Sequence, residues 1–473
     1  MKAFITIIIA CVTNAIALAD VGSRQATGVK VGEVTDTTAI IWTRLTAESG
    51  RKAEGITFNG PDRHQVGEGK PVESFEGECP GADGEVRLRY GQRDDLDDAV
   101  ETEWVTVASR HDFIHQFKLT GLAPDTRYYF KVETRSPDTD TRHAALDGQF
   151  KTAPPPNLLQ PVLFTAMTCQ AYRDKDRPDG FQIYESMKKL KPDFGLTIGD
   201  IVYYDNDPPD AKGVPLARYH WHRMYSLDTL VQFHREVPNY WLKDDHDTLI
   251  NDCWPTMDPG KMAPLTCADG LRIFREQVPM SELTYRTFRW GKGLQLWLVE
   301  GRDYRSPNDM KDGPAKTIWG KEQKDWLKKT LLESDAAWKV LISPTPIVGP
   351  DRESKADNHA NKAFAHEGNE LREWFQKHLP ENFFIICGDR HWQYHSVHPE
   401  TGVHEFSCGA ASDEHAGGSP GSDAGYRFHR MKGGFLSGGV LDGPHINGSR
   451  FFIRHHDVNG KVVNAFHVDR VQD

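Results

Sequence analysis

The chain has 473 residues, with 38% hydrophobic and 10% aromatic content, enough for a packed core in each of two or three domains. A net charge of -11 argues against a nucleic-acid partner, which favours a basic face. Beyond the N-terminal leader, no apolar run is long enough to span a bilayer.

Residues 1–19 read as a secretory signal: a lone Lys2, an apolar run from Ala3 to Ala10, and Ala17-Leu18-Ala19 as a small-residue cleavage site. Export makes the protein secreted or periplasmic. Ile8-Ile9-Ala10-Cys11 also has the look of a lipobox, which would leave a lipid anchor on Cys11. Of the remaining cysteines, Cys253 and Cys267 flank a Pro/Gly-rich insert and are candidates for a disulfide outside the cytoplasm. Cys387 lies in an apolar run and reads as a core thiol, and Cys79 falls in a polar loop.

Residues 21–153 are all β in pattern. Thr38 to Thr43 and Glu103 to Val107 read as strands, and Phe113 to Val132 as two more around a Gly-Leu-Ala-Pro-Asp turn. Leu119, Gly121, Leu122, Pro124, Thr126, Tyr128, Phe130 and Val132 resemble the corner of the fibronectin type III sandwich, which speaks to fold and not to activity. The polar, Gly-rich stretch from Arg51 to Gly84 is expected as a surface insertion.

Pro154-Pro155-Pro156 marks a linker, and a second domain over 158–473 alternates strands with helical periodicity, the α/β pattern. Strands are expected at Pro161–Thr168, Phe194–Ile198, Tyr240–Lys243, Trp338–Ile342 and Phe383–Cys387, with a hairpin from Thr284 to Gly301. Helices are expected near Phe181–Leu190, Leu216–Leu227, Lys321–Glu333 and Glu367–Lys377, and antiparallel strands from Phe435 onward. Ligands of open α/β sheets sit beyond the carboxyl ends of the strands. Four such ends carry Cys169, Asp200 with Tyr203, Asp245 with His246, and Asp389 with His391. Taken singly each has an ordinary reading: Gly199-Asp200 is a common turn, Cys169 a core thiol, Tyr203 a packing residue, His246 a capping group. Together, on what is expected to be one sheet edge, they make a multi-metal hydrolytic site, in which cations clamp a phosphoryl group and activate water. Thiolate, phenolate and imidazole suit a transition metal, Fe(III) above all; carboxylate and amide oxygens suit Ca²⁺ or Mg²⁺.

The order strand-Cys, GDxxY, DDHD, GDxH resembles the PhoD-like alkaline phosphatases, a branch of the calcineurin-like metallophosphoesterase superfamily. The resemblance implies a four-layer α/β/β/α catalytic sandwich preceded by the fibronectin-like domain, and hydrolysis of small phosphate mono- and diesters by attack of a metal-activated water. It implies Fe(III) on Cys169, Asp200, Tyr203 and His391, and Ca²⁺ on Asp200 and Asp389 with oxygens from Asp245 and Asn251; Zn²⁺ or Mg²⁺ could substitute. It makes His246 the acid at the leaving oxygen, and Arg218 or Arg223 the contact to phosphate. Asp357-Asn358-His359 is a further candidate ligand segment, and Arg302 an ion-pair former beside the site. Asp413, Glu414 and His415 read as a solvated loop, while Trp254 and Trp392 wall the pocket or simply fill the core. Two other readings stay open: a purple-acid-phosphatase-like enzyme, against which Cys169 and Asp389 argue, and a non-catalytic surface protein that keeps the fold.

Overall fold

The computed structural model describes residues 22–137, 142–443 and 446–470; the expected leader, Cys11 included, lies outside them. Two mixed sheets face each other. Phe194–Ile198 is buried along its whole length, as a strand covered on both faces must be. It pairs in parallel with Val162–Met167 on one side and Asn239–Leu242 on the other. Three C-terminal strands, Gly434–Gly443, Ile446–Asp457 and Val462–Arg470, extend this sheet by antiparallel pairing. The second sheet centres on Trp338–Ser343 and Phe383–Cys387, again parallel and wholly buried. Aromatic rings bridge the layers: Phe194 of the first sheet lies 5.5 Å from Phe164, 5.3 Å from Tyr240 and 4.6 Å from Trp290 of the second. Burying such rings contributes about 1.5–3 kcal/mol each, which makes this seam the principal core.

Helices Gln182–Lys189, Val214–Tyr225, Asp228–His234 and Cys267–Gln277 share one apolar cluster with the first sheet. Gly320–Glu333 and Ala365–His378 share another with the second. Helix Cys267–Gln277 was not expected, although Thr266 and Asp269 form a capping box at its start. This helix begins where a disulfide was foreseen. Cys253 and Cys267 are free thiols that lie side by side, in hydrogen-bond contact with each other; Cys253 also donates to Asp245 O at 3.7 Å and Cys267 to Trp254 O at 3.1 Å. Cys79, expected in a polar loop, is buried.

The N-terminal strands form two sheets around one apolar core. One of these sheets is not separate from the second domain. Val29–Gly32, Ala39–Arg44 and Ile114–Leu119 continue the larger sheet, joined by the parallel pairing of Gly32 with Asn239. Buried Lys30 reinforces the joint, donating to Gln277 O at 2.8 Å beneath the rings of Trp42 and Tyr225. The insertion from Arg51 to Gly84 lies at the surface over residues 51–74, as expected, and is anchored at its far end. Phe75 is buried, Tyr219 donates to Glu76 O at 2.7 Å, and Arg51 reaches Arg223 O at 3.2 Å. Among the described residues no helix is long and apolar enough to cross a membrane.

Candidate metal centre

Cys169, Asp200 and Asp389 share an uncommon backbone: φ is 53°, 53° and 60°, the left-handed region. For residues with a Cβ this conformation costs of order 1–3 kcal/mol and persists where surrounding structure imposes it, most often at functional sites. Here each follows a fully hydrogen-bonded strand and turns its side chain into the gap between the sheets. The strand ends do not lie on one sheet edge, as expected. Cys169, Asp200 and the Asp244–Asp247 loop come from the first sheet, and Asp389 and His391 from the second. Gly388 permits the approach, since a Cβ there would meet Ile198 O at 2.3 Å and Thr168 Oγ1 at 2.9 Å. Asp247 staples the loops of the first sheet, accepting from Ile201 N at 3.1 Å and Asp244 N at 2.6 Å.

Asp200 is the hub. Its Oδ2 lies 3.6 Å from Cys169 Sγ and 3.2 Å from Tyr203 OH, and the phenol is 3.5 Å from His391 Nε2. Ligand-type atoms of Cys169, Asp200 and His391 fall within 4.8 Å of one another; so do those of Asp200, Asp244 and Asp389, and those of Asp200, Asp245 and His246. Burial pushes the Asp200 carboxyl up to about 8, with Asp245 and Asp244 adding to the effect and His246 opposing it. Burial and Asp200 likewise raise the Cys169 thiol and the Tyr203 phenol, whereas burial, His415 and Arg390 keep His391 neutral. Asp200 Oδ1 and Asp244 Oδ2 are buried without a hydrogen-bond partner. Three acidic groups that resist ionisation, a neutral imidazole and orphaned carboxylate oxygens are the chemistry of a cation cradle.

His246 sits at its edge. Its Nδ1 is 2.6 Å from Asp205 Oδ1, and its ring lies 4.4 Å from that of Tyr203. Against the penalty of burial, Asp205, Asp245 and Asp200 hold the imidazole protonated well above its ordinary range. Asp205 was not singled out from the sequence; its signal was a second carboxylate two residues beyond Tyr203 in the same motif loop. His415 was also misread. Instead of standing in a solvated loop it places Nε2 2.9 Å from Tyr203 OH, held through Nδ1 by Asp174 at 2.8 Å.

Other candidates fall elsewhere. Asn251 is exposed, and only its backbone N–H enters the network, donating to Asp205 Oδ2 at 3.0 Å. Arg218 is bound bidentate to Glu276 at 2.7 and 2.6 Å. Arg223 is buried against the loop following Tyr203, donating to Pro208 O at 2.7 Å. Arg302 is fully buried and pairs with Asp244, with Asp245 at 3.6 Å and with Asp357 at 3.2 Å. Against burial, Arg302, His246 and Lys355 hold Asp245 ionised far below the usual carboxylate range. Asp357 thus joins the acidic frame, while His359 turns away to Glu367 at 3.0 Å. Trp392 is core, and its indole donates to Tyr426 OH at 3.2 Å.

Residues 164–431 match the PhoD-like phosphatase family, and residues 14–154 match the N-terminal domain of PhoD-like phosphatases. The chain belongs to the PhoD-like phosphatase family. A curated relative, alkaline phosphatase D of Bacillus subtilis (strain 168), is 26% identical over 259 residues, covering 47% of this chain and 42% of that protein. The chain therefore spans under half the length of the curated relative it matches. Among solved structures, PhoD aligns over 95% of this chain and 90% of its own, with a TM-score of 0.72 and 18% identity. A purple acid phosphatase from yellow lupin (Lupinus luteus) seeds aligns over 94% and 74%, with a TM-score of 0.63 and 13% identity. At these identities the two structures speak to the fold alone, and that fold is common to both.

Proposed function

We propose that the protein is a metal-dependent hydrolase of small phosphate esters, mono-, di- or both, working outside the cytoplasm. Membership of the PhoD-like phosphatase family supports the reaction class. The observation that carries the metal dependence is the sharing of Asp200 among three groups of ligand-type side chains, the arrangement a bridging carboxylate needs. Cys169, Asp200, Tyr203 and His391 would hold Fe(III), since thiolate and phenolate favour a transition metal; Asp200, Asp244, Asp389 and Asp245 would hold Ca²⁺. When bound, such cations supply Lewis-acid polarisation of the phosphoryl oxygens. The protein's own contribution is positional. His246, braced by Asp205, is set to donate a proton to the departing oxygen, and Arg302 fixes the carboxylates around it. We read the architecture as the four-layer α/β/β/α sandwich with a fibronectin-type domain before it. Cys169 and Asp389 remain the residues that argue against the purple-acid-phosphatase chemistry.

Metal analysis of the purified protein, with assays on a chromogenic phosphomonoester and a diester, tests the proposal. Iron and calcium are expected. Mild chelation should abolish activity while iron stays bound, and added Ca²⁺ should restore it. Full activity in metal-free protein would overturn the reading.

A further inference from the structure

Beside the metal centre lies a pocket of about 230 Å³ that the hydrolytic reaction, as described, does not use. Its walls come from two parts of the chain: Thr57, Phe58, Asn59 and Glu76 from the N-terminal insertion, and Tyr172, Arg173, Lys175, Asp207 and Arg223 from the catalytic domain. It is contiguous with the site by two routes. Tyr172 stands three residues beyond Cys169, and Asp207 donates its N–H to Tyr203 O at 3.2 Å. Asp174, between Arg173 and Lys175, holds the His415 that touches Tyr203.

Cations crowd this pocket. Arg223 lies 4.6 Å, Lys175 4.1 Å and Arg51 5.6 Å from the centre of the Tyr172 ring, and Arg173 stands on the rim. Three carboxylates stand against these four, and each is engaged: Asp174 lies 3.6 Å from Arg173 while holding His415. Asp207 is committed to the backbone N–H groups of Tyr172, at 2.6 Å, and Arg173, at 3.4 Å; Glu76 is paired with Arg51 at 3.0 Å. Lys175 has no carboxylate within 4.0 Å among the described residues. Arg223, 3% exposed, leaves its Nε buried without a partner. Burial above all, then Arg51 and Arg223, depress the Lys175 amine, with Glu76 and Asp207 opposing them.

We infer that this pocket is a second anion subsite, which selects phosphate esters whose leaving alcohol carries another phosphoryl group. The inference rests on the hydrolase reading and specifies the substrate class of the same site. It also gives the N-terminal insertion a role: Thr57, Phe58 and Asn59 close a specificity wall that the catalytic domain lacks alone.

The test compares butyl phosphate with a series of α,ω-alkanediol bisphosphates of increasing length on the metal-loaded full chain. The reacting ester is the same throughout, and only the distal charge differs. At the matching length kcat/KM should exceed that of butyl phosphate by about tenfold or more, chiefly through KM. Lys175→Glu should erase the preference, and Lys175→Arg should keep it. Lys175→Met, which retains the aliphatic packing on Tyr172, guards against loss by misfolding and should reduce the preference in between. Butyl phosphate turnover with no bisphosphate preference at any length, or a preference that survives Lys175→Glu, overturns the subsite while leaving the hydrolase intact. Turnover of neither substrate overturns the subsite as a selector of phosphomonoesters, and failure on a chromogenic diester as well refutes the hydrolase reading with it.

Discussion

Replacing Asp205 by asparagine removes one negative charge from beneath His246 while preserving the shape of the side chain. Both residues are buried, and the contact is short, 2.6 Å from Asp205 Oδ1 to His246 Nδ1. The asparagine retains an oxygen to accept from Asn251 N, which Asp205 Oδ2 does now at 3.0 Å, so the loop should hold. With that oxygen taken, the amide NH2 is turned toward His246 Nδ1–H and cannot accept from it, so the whole charge-assisted hydrogen bond is lost, about 1.5–3 kcal/mol. Because that bond keeps His246 protonated and aimed, its loss leaves the acid less often in place and corresponds to up to roughly 10- to 150-fold in kcat, at about 1.36 kcal/mol per decade. It should fall on alkyl phosphates, whose leaving groups need the proton, and far less on nitrophenyl phosphate, whose leaving group does not. The assay is kcat on both substrates, with iron and calcium measured on the same preparation. An equal fall on both substrates, or loss of either metal, would refute the assignment of Asp205 as the residue that positions an acid.

Two further perturbations separate the site from its frame. Tyr203→Phe removes the phenol that links Asp200, His391 and His415; a visible band from phenolate-to-iron charge transfer should shift or bleach, and an unchanged spectrum in iron-loaded protein would exclude the phenol as a ligand. His222 bridges the two domains, contacting Glu78 at 2.9 Å and Asp112 at 2.7 Å, and despite burial and Arg44 these carboxylates raise its pKa. With the folded pKa raised, its contribution is complete below the unfolded value of about 6.5 and lost as pH climbs through the folded one. Thermal stability should accordingly fall on the alkaline side in the native protein. In His222→Gln that limb should flatten and stability near pH 6 should drop by about 3 kcal/mol or more; an unchanged pH profile would remove His222 from the account.

Much of this was legible in the sequence where a single local rule decides the outcome. Phe194–Ile198 and Phe383–Cys387 were expected at their observed limits, because an unbroken apolar run ending in Gly-Asp leaves a buried strand little choice. The ligand-type residues beyond them followed from the same rule. The misses share a different physics, in that each depends on two loops meeting. His415 looked solvated because it stands in a Gly/Ser-rich loop; what covers it is the approach of Asp174 and Tyr203. The Arg51–Gly84 insertion is superficial over residues 51–74, as read, but its anchor was not legible, since Phe75 packs 5.4 Å from Tyr219 of the catalytic domain. The proline linker was legible as a stretch of sequence, but the sheet that joins the segments on either side of it was not, since Gly32 pairs with Asn239 across more than 200 residues of chain.

The acidic residues of the site separate into two populations once their counter-charges are traced. Asp252 and Asp357 lie close enough, with Asp245, to bind a cation, but positive charge already comes from the protein: Lys355 is 2.6 Å from Asp252, and Arg302 is 3.2 Å from Asp357; Asp245, 3.6 Å from the same Arg302 and grouped also with Asp200 and His246, stands between the two sets. Asp200 is placed differently. It makes no ion pair within 4.0 Å to an arginine or lysine among the described residues, its Oδ1 is unpartnered, and burial works against its ionised form. Removing a fixed cation from the first group would leave buried charges uncompensated, a loss of about 3–5 kcal/mol in stability. Within its group Asp244 is paired with Arg302 and Asp389 with Arg390, so Asp200 is the carboxylate that the protein leaves unmatched, and the cation we propose would supply that charge. One set of carboxylates is thus neutralised by the fold, and the other keeps one carboxylate open to a cation. Arg302 belongs to both, pairing with Asp244 on one side and Asp357 on the other. It therefore ties the rigid frame to the cradle and keeps Asp244 oriented toward Asp200 and Asp389 whether or not a cation is present.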